Sequence, residues 1–188
     1  MQKPTLSLLT AGALCLFTAA SSAAIVTPGG SVKFEGEIVN GTCAVDADSV
    51  DQTVQMGQVR TNDLSAESQV SGAKGFNIVL KDCGTSASGG DNPTTAPTVS
   101  IIFSGVSVPN NANILSLQNG VPSPATNVGI QILDRTGAPV ALDGSTASAK
   151  TTLLEGTNVI PFQARYYALG QATAGTANAD ATFSVQYD

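Results

Sequence analysis

Histidine and tryptophan are absent from this chain, and aromatic residues make up only 5% of it. Without histidine there is no Ser–His or Cys–His nucleophilic site, and the commonest ligand of zinc and copper is missing. The sequence also has no glycine-rich phosphate-binding loop that ends in lysine. The composition therefore disfavours an enzyme, and it indicates no catalytic residue, no metal site and no cofactor.

Basic residues are few: 8 Lys and Arg stand against 14 Asp and Glu, a net charge of −6. This balance disfavours nucleic acid and anionic membrane surfaces as partners. Asp46, Asp48 and Asp51 form a small acidic cluster, and calcium is one interpretation of it. The cluster lacks the glycine and the distal glutamate of an EF-hand loop, so a solvated acidic turn is the favoured interpretation.

The N-terminus has the pattern of an export signal. Lys3 precedes an apolar run at 6–17, and small residues follow at 20–24. The run is shorter than the ~20 residues that a membrane-spanning helix needs. This favours a signal peptide at 1–22, cleaved between 22 and 24, over an uncleaved anchor. Cleavage after Ser22 leaves 166 residues, enough for one domain with a substantial core.

Only three cysteines are present. Cys15 lies in the predicted signal peptide, so Cys43 and Cys83 remain in the exported chain. An even pair in an oxidising compartment predicts a disulfide rather than two free buried thiols. The bond would close a loop of about 40 residues, which stabilises the fold by roughly 4 kcal/mol on the chain-entropy model.

Glycine and proline, 28 residues together, separate short apolar or alternating runs. This is the pattern of an all-β sandwich or barrel. A turn is predicted at 134–137, and one or two helical turns at 62–69, capped by Asn62 or Asp63. Pro161 indicates a bulge or an edge within its strand. Besides the C-terminal strand, the predicted strands are 31–40, 53–59, 75–81, 98–103, 114–117, 128–133, 138–142 and 157–168.

The C-terminal residues predict a half-buried strand that runs almost to the last residue. Phe183, Val185 and Tyr187 alternate with polar residues and therefore share one face. A sandwich normally closes its sheet with one more strand, and no chain follows to supply it.

A spare extended stretch precedes the first cysteine of the fold. Its even positions share one face, and its odd positions Ser31, Lys33 and Glu35 would face water. A chain that lacks a strand at one end and carries a loose one at the other can join head to tail, and such heterologous contacts form a fibre. The even positions are Val26, Gly30, Val32 and Phe34, with Pro28 among them.

Segments spread over the whole mature chain resemble the chaperone–usher pilins, and among them most of all the major subunits of type 1 fimbriae. The C-terminal pattern of Gly175 and a penultimate Tyr187, together with the cysteine pair, makes the resemblance specific. The segments read GEIVN (36–40), CAVD (43–46), SVDQTV (49–54), GQVRT (57–61), GFNI (75–78), ATNVG (125–129), QILDRTG (131–137), IPFQARY (160–166) and ANADATF (177–183).

The resemblance implies an incomplete immunoglobulin-like β-sandwich of six strands, completed by a donor strand from another chain. Residues 23–35 would be the donor-strand extension, and residues 36–188 the pilin domain. The implied donor residues are Val26, Gly30, Val32 and Phe34. The implied residues of the acceptor groove and of the chaperone contact are Gly175, Phe183, Val185, Tyr187 and Asp188.

The same resemblance predicts a function and its partners. The chain is expected to be the structural major subunit of a pilus rod that polymerises by donor-strand exchange. The partners would be a periplasmic chaperone, an outer-membrane usher, identical subunits and tip subunits. The location would be the extracellular fimbrium of a Gram-negative bacterium, reached through the periplasm. A minor or adaptor subunit is the alternative, and a carbohydrate-binding tip adhesin, which carries an additional lectin domain, is a weaker one.

Overall fold

The computed structural model describes residues 31–34, 36, 42–84 and 97–188. The chain divides into two compact units, Met1–Glu37 and Ile38–Asp188. The predicted signal peptide and the donor positions Val26 and Gly30 lie outside the described residues. No helix in the described part is long and apolar enough to cross a membrane.

Unit Ile38–Asp188 is built almost entirely of strands, which confirms the all-β class. One helical turn, α1 (Ala47–Val50), and one 3-10 turn (Thr61–Leu64) interrupt them. Ten strands occur among the described residues, against the six that the resemblance implies, and three of the ten have only two residues each. They are β1 (Ala44–Val45), β2 (Lys74–Cys83), β3 (Thr98–Gly105), β4 (Ser107–Val108), β5 (Asn111–Leu115), β6 (Val128–Leu133), β7 (Asp143–Ala147), β8 (Thr151–Thr152), β9 (Gly156–Ala168) and β10 (Ala181–Tyr187).

The strands form two sheets. The first has the order β1-β2-β9-β6-β5-β4, and the second has the order β10-β3-β7, with β8 also paired to β3. Every ladder between these strands is antiparallel. Each sheet turns one face inward, and the alternating side chains of the inner faces form the core of the sandwich.

Strand β9 shows how the alternation of the sequence becomes the core. Its inward residues are buried, while Gln163 is exposed and Arg165 and Tyr167 are half-buried. The ring of Phe162 packs 5.0 Å from that of Phe103 and 5.7 Å from that of Phe76, so that aromatic side chains join the two sheets at the centre. The inward residues of β9 are Ile160, Phe162, Ala164, Tyr166 and Ala168.

Pro161 lies within β9, as predicted, at a place where the strand is an edge on one side. On that side the ladder with β6 ends at Gln163. On the other side Pro161 faces Asn77 of β2. Because β6 does not reach Pro161, the missing N–H of the proline costs no ladder bond to β6.

The predicted strand at 138–142 is wrong, although the turn before it forms. Gly137 takes a φ of +83°, and the amide of Asp134 donates to the carbonyl of Ala138 at 2.9 Å. Beyond the turn, the amide of Leu142 donates to Ala112 in β5, while its carbonyl accepts from Gly105 in β3. The segment thus crosses from one sheet to the other. The strand that follows is β7, whose residues are all exposed.

Two further predicted elements differ from the structure. Residues 53–59 are extended but form no ladder with any described strand. The helical turns predicted at 62–69 reduce to the 3-10 turn, and its N-cap is Arg60 rather than Asn62 or Asp63, with no capping side-chain bond. In the predicted strand 31–40, residues 31–34 and 36 have no strand assignment, and the remaining residues lie outside the described part.

Asp134 fastens the 134–138 turn to the 148–150 loop. Its carboxylate accepts bonds from the amide and hydroxyl of Thr136 at 2.8 and 2.5 Å, and from the amides of Ala138 and Ala149 at 3.2 Å each. Burial opposes ionisation of this carboxyl, but these bonds together outweigh it and hold the pKa of Asp134 below its ordinary value.

The charge of Asp134 should therefore make stability depend on pH. A carboxyl with a lower pKa in the folded chain contributes stability above its unfolded pKa and loses it as pH falls through the folded pKa. We expect Asp134→Asn to lower the free energy of unfolding by about 1–2 kcal/mol at neutral pH. The difference should shrink as pH falls below about 4.

Guanidinium titrations of both chains across this pH range measure the effect. Asp63→Asn is the matched control, because the Asp63 carboxylate lies on the surface and pairs only with Arg60, at 3.3 Å. An exposed pair of this kind contributes little. A difference between Asp134→Asn and the unaltered chain that stays constant with pH would contradict the role of the charge.

Candidate strand-binding groove

A long groove with a volume of about 840 Å³ runs along one side of the sandwich. One rim is the segment 49–57, and the other is the segment 177–181 with Phe183. The polar side chain of Gln118 also lines the groove, and the floor between the rims is otherwise apolar apart from the hydroxyl of Tyr166, which donates to the carbonyl of Ala177 at 3.2 Å. The floor consists of Phe76, Phe103, Leu115, Ile130, Ile132, Ala164 and Tyr166.

The first rim is an extended segment that lacks a partner strand among the described residues. Val54, Met56 and Val59 are half-buried and pack against the core. Gly57 takes a φ of +73°, and at this point the alternation of buried and exposed residues shifts by one. The backbone of this rim therefore presents unpaired N–H and C=O groups next to an apolar floor.

The second rim continues the C-terminal strand. Strand β10 pairs with β3 through seven residue pairs, from Ala181 with Gly105 to Tyr187 with Val99. Its other edge meets no strand in the described part of the chain. The alternation extends upstream of the strand, because Ala179 is half-buried while Asp180 is exposed.

The two rims and the floor together match the shape of one missing strand. An added strand would pair with unpaired backbone on both sides and would place alternate side chains on the apolar floor. Both rims and the whole floor belong to unit Ile38–Asp188. The geometry of the described residues is that of a site for one extended strand.

The predicted groove residues of β10 lie on one face of the strand but not all along the groove. Phe183 lines the groove, and its ring lies 6.3 Å from that of Phe103. Val185 is half-buried on the same face, beyond the groove lining. The hydroxyl of Tyr187 donates to the carbonyl of Cys43 at 3.1 Å, and burial raises the pKa of this phenol. Tyr187 thus holds the far end of β10 to the cysteine pair.

The last residue, Asp188, is tied down twice. Its backbone exchanges two bonds of 2.9 Å with Thr98, and its side-chain carboxylate lies 3.4 Å from the ammonium group of Lys150. The C-terminus is therefore held at the start of β3 by the folded chain itself.

Gly175 lies outside the groove lining, upstream of the second rim. A Cβ at this position would stand 2.5 Å from the carbonyl oxygen of Ser123 and 2.6 Å from the carbonyl carbon of Pro124. Both contacts are with backbone, so only glycine fits here without a shift. The bridge between Pro124 and Thr176 that follows fixes where the second rim begins.

The disulfide between Cys43 and Cys83 is present and buried. The Cα atoms of the two residues are 4.1 Å apart, next to the ladder that pairs Ala44 with Lys81. Since Tyr187 bonds to the carbonyl of Cys43, the disulfide anchors the end of β10 as well as the end of β2.

The acidic cluster at 46–51 is a capped helical turn. The carboxylate of Asp46 accepts from the amide of Asp48 at 3.1 Å and forms an ion pair with Lys81. The hydrogen bond from Lys81, with that amide, lowers the pKa of Asp46, and the same bond raises the pKa of Lys81. Within the described ranges no three acidic, cysteine or histidine residues are arranged to hold a metal ion.

Of the donor positions, Val32 and Phe34 are described, and both are exposed, at 77% and 90% of their surface. Two large apolar side chains two residues apart in solvent are unusual for a folded chain.

Sequence reasoning missed the first rim and the floor of the groove. The weak alternation of 53–59 is interpreted from the sequence as a paired strand, whereas its apolar residues form the groove wall. A usable signal in the sequence was the position of Gly57 after Val54 and Met56, because a glycine within a strand pattern marks an irregular edge rather than a regular ladder.

The profile of the family described as fimbrial protein matches residues 32–188. The type-1 fimbrial protein A chain of Escherichia coli K12 and the fimbrial subunit type 1 of Klebsiella pneumoniae are each 53% identical over 189 residues, which cover all of both chains. A solved chaperone–usher pilus, described as revealing the basis of rod uncoiling, is 28% identical with a TM-score of 0.73 and covers 89% of this chain and 100% of that chain. The sandwich is therefore immunoglobulin-like, as in those pilus subunits, and the chain belongs to the fimbrial protein family.

Proposed function

We propose that this chain is the repeating structural subunit of a fimbrial rod and that it polymerises by donor-strand exchange. The single observation that carries this proposal is the groove: two backbone edges that no described strand pairs flank an apolar floor that the described strands leave open. The names of the matched relatives, fimbrial A chain and fimbrial subunit, agree with it.

The occupant of the groove in the fibre is the extension 23–35 of a neighbouring copy. Its residues Val26, Gly30, Val32 and Phe34 would face the floor, and its odd positions would face solvent. Burial of the three large side chains contributes roughly 5–9 kcal/mol before the cost of ordering the segment is subtracted. Backbone bonds to both rims add about 0.5–1.5 kcal/mol each.

Before assembly the groove needs a temporary occupant, because an open apolar floor between two strand edges invites aggregation. We assign this role to a periplasmic chaperone that adds a strand along β10, and the exchange for the extension to an outer-membrane usher. Such a chaperone strand would contact or approach Phe183, Val185 and Tyr187 of β10 and the last residue, Asp188. The predicted signal peptide at 1–22 supplies the export route.

Electron microscopy of cells with the gene present and deleted tests the proposal. An antibody against this chain, coupled to gold, should label the length of the fibres, and deletion of the gene should remove the fibres. Label confined to the tip would identify an adaptor or an adhesin instead. Unlabelled fibres that persist after deletion would contradict the proposal.

A further inference from the structure

The groove has an acidic rim. Among the described residues, Asp51 and Asp180 are the charged ones that line it, one on each rim. The carboxylate of Asp180 accepts a hydrogen bond from the side-chain amide of Gln118. No basic side chain forms an ion pair with Asp180 within the described ranges. At the other end of β10, by contrast, Asp188 already lies 3.4 Å from Lys150.

The extension that the proposed function places in this groove carries a single cationic side chain. Lys33 is the only basic residue in 23–35, and it stands between Val32 and Phe34. If Val32 and Phe34 face the floor, Lys33 points outward. The outward positions of the second rim are the even ones, which include Asp180 and Thr182.

Side-chain size selects one register for the extension. All ladders between the described strands are antiparallel, so the added strand is taken to run antiparallel to β10. The bulky inward residue of the second rim is Phe183 at its C-terminal end, and the groove-lining residues of the same parity before it are the small Ala179 and Ala181. In one register Gly30 lies opposite Phe183. Val32 then lies opposite Ala181 and Phe34 opposite Ala179, so that each large side chain faces a small one along the rim.

That register sets Lys33 directly opposite Asp180. We propose that the Asp180 carboxylate of one copy binds the Lys33 ammonium group of the next, and that this pair adds to side-chain size in favouring this register and direction of the donor strand. The inference rests on the proposed function, since it names the recognition contact within the same groove. A donor strand of opposite direction would bring Lys33 towards Asp188 instead.

Charge reversal tests the pair. Lys33→Glu and Asp180→Lys should each raise the rate at which purified fibres release monomer on heating at low ionic strength, by about two- to five-fold, the range for an exposed ion pair. The double variant should return towards the rate of the unaltered chain, and about 1 M salt should remove the differences. Lys33→Glu combined with Asp188→Lys is the matched control and should restore nothing. The proposal would be overturned if Asp188→Lys returned the release rate of Lys33→Glu fibres towards that of the unaltered chain, or if Asp180→Lys did not.

Disulfide trapping reads the register directly. Residues opposite each other in an antiparallel ladder have Cα atoms about 4.5–5.5 Å apart, within the range for a disulfide. Fibres of the Lys33→Cys, Asp180→Cys chain should therefore give a ladder of covalent oligomers on non-reducing gels. Lys33→Cys with Asn178→Cys or with Thr182→Cys should not. Covalent oligomers from the variants at 178 or 182, or from none of the three variants, would overturn the inference, provided that fibre formation still requires residues 23–34. Fibres that form without residues 23–34 would instead overturn the proposed function.

Discussion

A single carboxylate on the apolar face of the extension is expected to abolish fibre assembly. Val32→Asp removes ~1.5–3 kcal/mol of side-chain burial from each junction and asks the groove to desolvate a charge at a cost of several kcal/mol. The described part of the groove offers that charge no cation, because the charged residues that line it there are Asp51 and Asp180. A loss of ~5 kcal/mol lowers the equilibrium constant of each junction by three to four orders of magnitude.

The neighbouring position supplies the matched control. Ser31→Asp introduces the same charge one residue away, on the face predicted to point to solvent, and should leave the number of fibres nearly unchanged. Both residues are exposed in the structure, so neither substitution disturbs a core. Fibre counts by electron microscopy and heat-resistant oligomers on gels measure the outcome. Equal assembly of the two variants would contradict the role of the alternation.

Deletion of residues 23–34 extends the same prediction. The shortened chain should accumulate as a monomer and form no fibres, because the groove of each copy keeps no donor. The fold of Ile38–Asp188 should persist, since all of the strands described lie within it. Full-length fibres from this deletion would contradict donation by the extension.

Loss of the disulfide is expected to have the second-largest effect. Cys43→Ser opens a loop that spans a sequence separation of 40 residues. The closed loop stabilises the fold by about 4 kcal/mol on the chain-entropy model, a large fraction of the ~5–15 kcal/mol of a typical domain. The groove should suffer as well, because the carbonyl of Cys43 accepts the bond from Tyr187 at the end of β10.

Periplasmic yield and fibre number measure this effect. Cys15→Ser is the matched control: it is the same substitution in the predicted signal peptide, and yield should not change. The denaturation midpoint of the purified unaltered chain should fall to that of Cys43→Ser once dithiothreitol is added. Equal denaturation midpoints with and without the reductant would contradict the stabilising role of the disulfide.

Much of the sandwich follows from local patterns. Strand β6 lies at the predicted residues 128–133, and β9 and β3 lie within one or two residues of their predictions. Alternation succeeds in such strands because one face of each packs on the core, which ties the period of two to burial. It failed at 138–142, where Val140 and Leu142 are buried by a segment that crosses between sheets. A crossing segment and a strand have the same local pattern, and only the partners of the backbone distinguish them.

The candidate groove divides in the same way. The alternation of Phe183, Val185 and Tyr187 can be read from the sequence. The disulfide follows from the predicted export and from the even number of cysteines left in the exported chain. The opposite rim at 49–57 and the floor come from six separate stretches of chain, and no local pattern connects them. The ion-pair partner of Asp46 could not be predicted from a local pattern either, because Lys81 reaches Asp46 only through the pairing of β1 with β2.

By itself, the sequence determined the all-β class, the parity of the strands and the disulfide, because each depends on neighbouring residues or on composition; the donor role of 23–35 stays a prediction. The tertiary structure decided which backbone edges stay unpaired and what lies between them. Pairing joins residues far apart in the chain, so the local pattern of the C-terminal strand indicates an open edge but not which segment forms the opposite rim or which residues form the floor between them.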